Sequence, residues 1–201
     1  LEQCVNNLKT KNIDLLFVCG GNGSYIGARR FTAFGIKVIC VPCTIDNDVS
    51  HTEYTIGFDS ALQLICSTID MLKTTCDTHG QVMLVEVMGR KCADLTLKAA
   101  LATNVDYIVT PYNTLTKEEF VDIVYKVKKI PHKKSVIFLV TELLYTGKPG
   151  ELPSLQEVKE YIESTTGINT KIHVCGYVQR GATPTATERY NAARLGYAAA
   201  E

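Results

Sequence analysis

Six short apolar runs recur along this 201-residue chain, at 14–19, 37–41, 82–88, 106–109, 135–140 and 171–178, with helical patterns between them. Most are near-continuous rather than alternating and rich in Val and Ile, as in strands buried on both faces. Between them, apolar residues recur at helical spacing. One pattern runs from Tyr25 to about Phe34. A long one carries Ala61, Leu62, Ile65, Ile69 and Leu72, and a short one runs from Asp94 to about Thr103. Thr116 and Glu119 form a capping box ahead of Phe120, Ile123, Val124 and Val127. Further helices open at Ser154 and near Thr185. Strand–helix alternation of this kind predicts an α/β fold: a layered parallel sheet with helices on both faces, since parallel neighbours need crossovers and the crossover helices cover the sheet.

In such sheets chemistry sits at the carboxyl ends of the strands. Asn22, Asp46, Arg90, Glu142 and Arg180 each follow the end of a predicted strand, so one sheet would bring them to one crevice. Gly20-Gly21-Asn22-Gly23-Ser24 joins a strand to a helix, an arrangement that presents backbone N–H groups to a phosphate. No Lys follows as a Walker loop requires. Asp46 and Asp48 stand two apart after the second strand, where one carboxylate can take a proton and the other help hold a cation. The guanidinium forks of Arg90 and Arg180 suit phosphate oxygens. Each feature has a plainer alternative: an Asx-rich turn, a tight strand-to-helix turn, surface ion pairs. Together they read as a phosphate-handling enzyme.

Charge excludes other classes. Lys plus Arg and Asp plus Glu are 21 each, so no global field favours nucleic acid or a membrane surface. No apolar run reaches the length of a membrane span. Eight cysteines are scattered through apolar segments, which predicts reduced thiols in a cytoplasmic protein. Cys40-Val-Pro-Cys43 has half of a metal or redox spacing but no second pair, and is read as two ordinary thiols. The chain opens on Leu1 and stops at Glu201 within a helical pattern, so it is expected to be a fragment.

Gly20-Gly21-Asn22-Gly23-Ser24-Tyr25, the stretch 42–48, Tyr54-Thr55-Ile56-Gly57-Phe58-Asp59, Glu86-Val87-Met88-Gly89-Arg90 and Gly176-Tyr177-Val178-Gln179-Arg180-Gly181 occur in the order and spacing of the 6-phosphofructokinases. The chain resembles the bacterial ATP-dependent type over nearly its whole length. That resemblance implies phosphoryl transfer from Mg-ATP to O1 of fructose 6-phosphate, giving fructose 1,6-bisphosphate and ADP, the committed step of glycolysis. By position it implies Asp46 as base, Arg90 as stabiliser of the transferred group, and Thr44 beside them. Thr44, Met88, Gly89 and Glu142 would contact the sugar, and Arg180 its 6-phosphate. Gly21, Asn22, Gly23 and Ser24 would lie against the ATP phosphates, with Asn22 and Asp48 at the Mg2+. Gly23 favours ATP over pyrophosphate, because pyrophosphate-using relatives tend to carry Asp there and Lys at the position of Cys43.

The resemblance also exposes departures. Asn22 stands where the family usually has Asp and loses a charge at the metal. Gln81 and Lys171 replace arginines that reach a neighbouring subunit's sugar phosphate, and Tyr177 replaces a His. A catalytically weakened or regulatory relative is thus an alternative, and a pyrophosphate-dependent enzyme a weaker one. The family pattern further implies residues 1–57 in the nucleotide domain and 58–201 mainly in the sugar-phosphate domain. It implies a cytoplasmic homotetramer, with an ADP-like effector site near Lys73, Asp106, Lys133 and Lys134.

Overall fold

Leu15–Gly20 (β1) and Lys37–Pro42 (β2) lie parallel and in register, Leu15 opposite Lys37 and Gly20 opposite Pro42, in a computed structural model that describes residues 1–201. Their crossover is the helix Asn22–Thr32 (α2), which packs on both strands. An earlier helix, Glu2–Thr10 (α1), buries Val5 alone. The sequence reading assigns no element there, because one buried side chain makes no stripe.

After β2 the chain runs through a long loop into the helix Phe58–His79 (α3), and then builds a second sheet. In chain order its elements are Val82–Val87 (β3), Asp94–Thr103 (α4), Tyr107–Val109 (β4), Lys117–Lys128 (α5), Val136–Thr141 (β5), Leu155–Thr166 (α6) and Thr170–Val174 (β6). The strand order is β4-β5-β3-β6, all parallel. A 3-10 turn over Gly176–Gly181 leads to the last helix, Ala186–Ala200 (α7). Two compact units result, Leu1–Asp59 with Pro184–Glu201, and Ser60–Thr183. The boundary drawn at 57/58 in the sequence leaves α7 with the second part, whereas by contacts it belongs with the first unit.

The α/β class stands, but the single sheet does not. Periodicity identifies strands without naming their partners, and here six strands fall into sheets of two and four. The last strand also stops at Val174 rather than at Val178, because Gly176 takes φ +55° and turns the chain.

Alternation decides the core of the second unit. Val82, Leu84, Val136, Phe138 and Val140 share one face and pack with Phe120 and Val124 of α5 and Val158 and Ile162 of α6. Phe138 and Phe120 meet at 4.9 Å between ring centroids, and Tyr145 closes edge-on at 5.5 Å from Phe120. The Tyr145 hydroxyl accepts from Leu115 N–H at 2.8 Å and donates to Leu115 O at 2.9 Å, and burial pushes its pKa up to about 12. The opposite face, including Met83, Val85, Ile137 and Leu139, is buried as well, with α4 against β4 and β5. The helices expected at Thr116 and Ser154 both open on capping boxes, Thr116 with Glu119 and Ser154 with Glu157. The second of these boxes was not read from the sequence.

Candidate active site

The carboxyl end of β1–β2 collects the polar candidates of the first unit. The glycines of the first turn differ in what they do. A Cβ on Gly20 would lie 2.3 Å from Ser24 Oγ and 2.5 Å from its Cβ, so packing requires that glycine, and one on Gly21 would lie a tight 3.3 Å from Thr44 Cβ. A Cβ on Gly23 would meet nothing within 4 Å. Gly21 is the cap and α2 starts at Asn22, not at Tyr25 as the sequence suggests. Asn22, Gly23 and Ser24 are therefore the first helical turn, whose N–H groups have no partner inside the helix.

The loop 42–48 is pinned from both sides. Cys43 N–H donates to Gly20 O at 2.9 Å, and Ile56 N–H to Pro42 O at 2.9 Å. The Thr55 hydroxyl donates to Thr44 O at 2.6 Å, and Thr55 N–H to Asn47 Oδ1 at 2.9 Å. Asn47 sits at φ +54° and donates through Nδ2 to Glu53 O at 3.1 Å. Asn tolerates this left-handed conformation better than most residues. Beyond Thr55, Gly57 N–H donates at 2.8 Å to Glu188, which α7 holds 5% exposed. This scaffold keeps Asp46 at 8% exposure, its N–H donating to Thr44 Oγ1 at 3.3 Å, while Asp48 is exposed. Asn22 Nδ2 donates to Asp48 O at 3.0 Å and ties the two loops together.

The second unit gathers its candidates at the carboxyl ends of β3, β5 and β6. Glu142 Oε1 accepts from Gly89 N–H at 3.3 Å and from Arg90 N–H at 3.2 Å. Gly89 has φ +143° and Arg90 φ +52°, so this loop stands in conformations that side chains rarely adopt. Met88 N–H donates to Gln179 Oε1 at 3.1 Å. Arg180 lies over the Tyr177 ring, 4.9 Å from its centroid, so the residue in the place of the family's His supports a guanidinium. Burial, and then the nearby Glu142, raises the pKa of Glu86. Burial, then Glu86, pushes the Cys175 thiol up to about 11.

Other candidates lie elsewhere. Gln81 precedes β3, and Lys171 pairs with Met83 in β6, so both sit at the amino ends of their strands. That is the end away from Met88, Arg90, Glu142 and Arg180, roughly five residues or ~16 Å along a strand. The effector candidates cluster around the α4–β4 turn and the loop before β5, and the charges of Lys73, Asp106 and Lys133 are engaged. Lys133 pairs with Asp106 at 2.6 Å, and Asp106 also accepts from Ile137 N–H at 2.8 Å. The Lys73 ammonium donates to Thr103 O and, at 3.5 Å, to Asn104 O, the end of α4, where a cation is favoured. Lys134 is exposed and offers its carbonyl to Lys128. All eight thiols are free, and burial raises the pKa of Cys43, which makes its thiolate scarcer. A groove of about 890 Å³ beside His51, Tyr54, Tyr190 and Arg194 contains none of the candidates.

Sequence reasoning gave no role to Asn47, Thr55, Gln179 or Glu188. Thr55 and Gln179 lie in the quoted motifs. Asn47 lies in one as well, within 42–48, and Glu188 carries only the local signal of standing three residues after Thr185, whose side chain caps α7 through Glu188 N–H.

Parallel sheets with polar loops at their carboxyl ends, one loop abutting a helix amino end and a carboxylate pair, define an open-sheet α/β protein of the kind that meets ligands at those ends. Comparison makes the class specific. The chain belongs to the phosphofructokinase family, whose model, described as "Phosphofructokinase", matches residues 1–201. It is 43% identical over 201 residues to an ATP-dependent 6-phosphofructokinase of Photobacterium profundum, covering 99% of this chain and 59% of the relative. A similarly described protein of Pectobacterium carotovorum is 42% identical over 196 residues. The chain thus spans about three-fifths of the length of the curated relatives it matches. Among solved structures, phosphofructokinase from Saccharomyces cerevisiae superposes with a TM-score of 0.85 at 30% identity, over 98% of this chain and 30% of that one. A pyrophosphate-dependent phosphofructokinase from Nitrosospira multiformis shares the fold, with a TM-score of 0.84 at 23% identity.

Proposed function

We propose that the protein transfers the terminal phosphoryl group of Mg-ATP to O1 of fructose 6-phosphate. The observation that carries this reading is the loop 42–48, which holds a buried Asp46 with its N–H on Thr44 Oγ1 and is itself tied by hydrogen bonds to the strand ends and residues 53–56. Such a carboxylate, beside the Thr44 hydroxyl, can take the O1 proton as O1 attacks phosphorus and the bond to ADP breaks. Arg90 offsets charge on the transferred group, and Arg180 holds the 6-phosphate. Thr44, Met88, Gly89 and Glu142 face the sugar, although Glu142 spends one oxygen on the Gly89 and Arg90 amides. The cap Gly21 and the first turn of α2, Asn22, Gly23 and Ser24, cradle the nucleotide phosphates.

Magnesium fits the donor set. No group of three or more His, Cys, Asp or Glu is gathered to hold a metal by itself. Mg2+ ordinarily takes one or two carboxylates, substrate phosphates and water. Asp48 offers a carboxylate and Asn22 an amide oxygen, its nitrogen being engaged on Asp48 O. When bound, the ion neutralises phosphate charge. In the same reading, residues 1–57 serve the nucleotide and 58–201 mainly the sugar phosphate. The intact protein is a cytoplasmic homotetramer, with Gln81 and Lys171 serving a neighbouring subunit and an ADP-like effector near Lys73, Asp106, Lys133 and Lys134.

The donor follows from Gly23, whose missing side chain leaves open space at the helix start. A coupled assay of the intact gene product is expected to show turnover of fructose 6-phosphate with ATP and none with pyrophosphate. Turnover with pyrophosphate alone would reverse the assignment, and turnover with neither would remove it.

One contact favours a weakened enzyme. Asn22 donates to Asp48 O, which an Asp could not do, so the substitution trades metal charge for a tie between loops. Asn22→Asp is expected to lower the Mg2+ concentration for half-maximal activity several-fold, while loosening that tie. An unchanged magnesium titration would show that position 22 does not serve the ion.

A further inference from the structure

Gln179 is the only Gln, Asn or charged residue of the second unit that is 1% exposed, and its carboxamide works at both ends. Oε1 accepts from Met88 N–H at 3.1 Å, across 91 positions of sequence, and Nε2 donates to Gly176 O at 2.9 Å. Met88 begins the loop that presents Arg90 after β3, and Gly176 begins the 3-10 turn that presents Tyr177 and Arg180 after β6. The sheet cannot make this link itself. The ladder between β3 and β6 ends at Glu86 opposite Val174, and the last backbone bond is Cys175 N–H to Glu86 O at 2.9 Å. Beyond that point both chains leave the sheet through left-handed turns, Gly89 and Arg90 on one side and Gly176 on the other. The buried Met88 amide N–H would be left without a partner there if the side chain only filled space, at a cost of about 1–3 kcal/mol.

We propose that Gln179 is a positioning residue that ties the Arg90 loop to the Arg180 turn. The group facing the transferred phosphoryl and the group facing the sugar's 6-phosphate are thereby held in register by one side chain. The roles of the two arginines rest on the function proposed above; the tie itself does not.

Two variants of the intact gene product separate this from a packing role. Gln179→Met keeps the volume and removes both polar ends. It is expected to lower kcat and raise KM for fructose 6-phosphate, each roughly tenfold, with KM for ATP unchanged, because small misplacements of charge-stabilising groups carry penalties of this size. Gln179→Glu is the sharper probe. A protonated carboxyl can accept from Met88 N–H and donate to Gly176 O, as the amide does, while a carboxylate repels that carbonyl. Burial raises the pKa of the new carboxyl, so the variant should match wild type at about pH 6 and lose roughly tenfold in kcat/KM by about pH 8.5. Glu86, Glu142, Cys175 and Arg180 are the charged or titratable groups nearby, and both proteins carry them, so the ratio of variant to wild type isolates the new group. A ratio flat with pH, or a folded Gln179→Met with an unchanged KM for the sugar phosphate, overturns the proposal. If Gln179→Met does not fold, the pH profile of Gln179→Glu decides. If wild type turns over no fructose 6-phosphate, the functional reading fails and hydrogen exchange still tests the tie. The Met88 amide should then exchange at least tenfold faster in Gln179→Met, which has no acceptor there, than in wild type, and equal rates would refute it.

Discussion

Asp46→Ala in the intact gene product is expected to lower kcat for fructose 6-phosphate by roughly 10²–10⁴-fold, the usual contribution of a positioned general base. That is about 3–5 kcal/mol of barrier. The loss should fall on kcat, with KM for the sugar phosphate changed less than about threefold, since the removed interaction strengthens as the proton moves. Asp46 is 8% exposed, so folding needs its own control. Asp46→Asn supplies it, because the amide keeps the shape and the acceptor oxygen but cannot take the proton. Circular dichroism and thermal melts should place both variants close to wild type. Steady-state rates for Asp46→Asn within fivefold of wild type would remove Asp46 from the role of base.

The carboxylate loop shows how far the sequence carries. Its place at a strand end was legible from a β-branched run bounded by Gly35 and Pro42. What fixes it was not. Thr55, eleven residues on, reaches back to Thr44, and Glu188, 131 residues from Gly57, clamps the far side. Such contacts depend on where the chain returns, and α7 returns to the first unit although it follows the whole of the second. The same limit explains the sheets. Each strand was visible as an apolar run, yet the split into two and four depends on which edges meet, and a period of two holds for either pairing. Local chemistry was more legible. Thr116 and Glu119 announced their capping box because both partners lie within one turn. Lys73 and Lys133 show the reverse case: the family pattern offered them to an effector, and nothing local in sequence announces that one sits on the end of α4 and the other on Asp106.

Alanine at two glycines of the candidate site should have opposite consequences for folding, and Gly89 carries the larger one. Its φ of +143° lies where L side chains are strained, and its Cβ would stand 2.7 Å from Cys92 O. That oxygen is backbone, in a turn closed by Cys92 N–H donating to Gly89 O at 2.8 Å, so the neighbour cannot swing aside. The loop must move, and it holds Arg90 at φ +52° with its amide on Glu142. Gly89→Ala is therefore expected to cost about 1–3 kcal/mol of stability as backbone strain. It should also lower kcat/KM by on the order of 10²-fold, as misplacement of a charge-stabilising group does. Gly23 has no positive φ, sits in the first turn of α2, and has open space where a Cβ would go. Gly23→Ala should raise stability by about 0.4–1 kcal/mol, the ordinary gain for a compatible glycine. If that space receives the nucleotide's phosphates, the same methyl should raise KM for ATP and leave KM for fructose 6-phosphate alone. Thermal melts paired with steady-state kinetics of the two variants distinguish a glycine kept for the fold from one kept for a ligand. Equal destabilisation at both positions would refute the distinction, and a Gly23→Ala enzyme with unchanged KM for ATP would take Gly23 out of the nucleotide site.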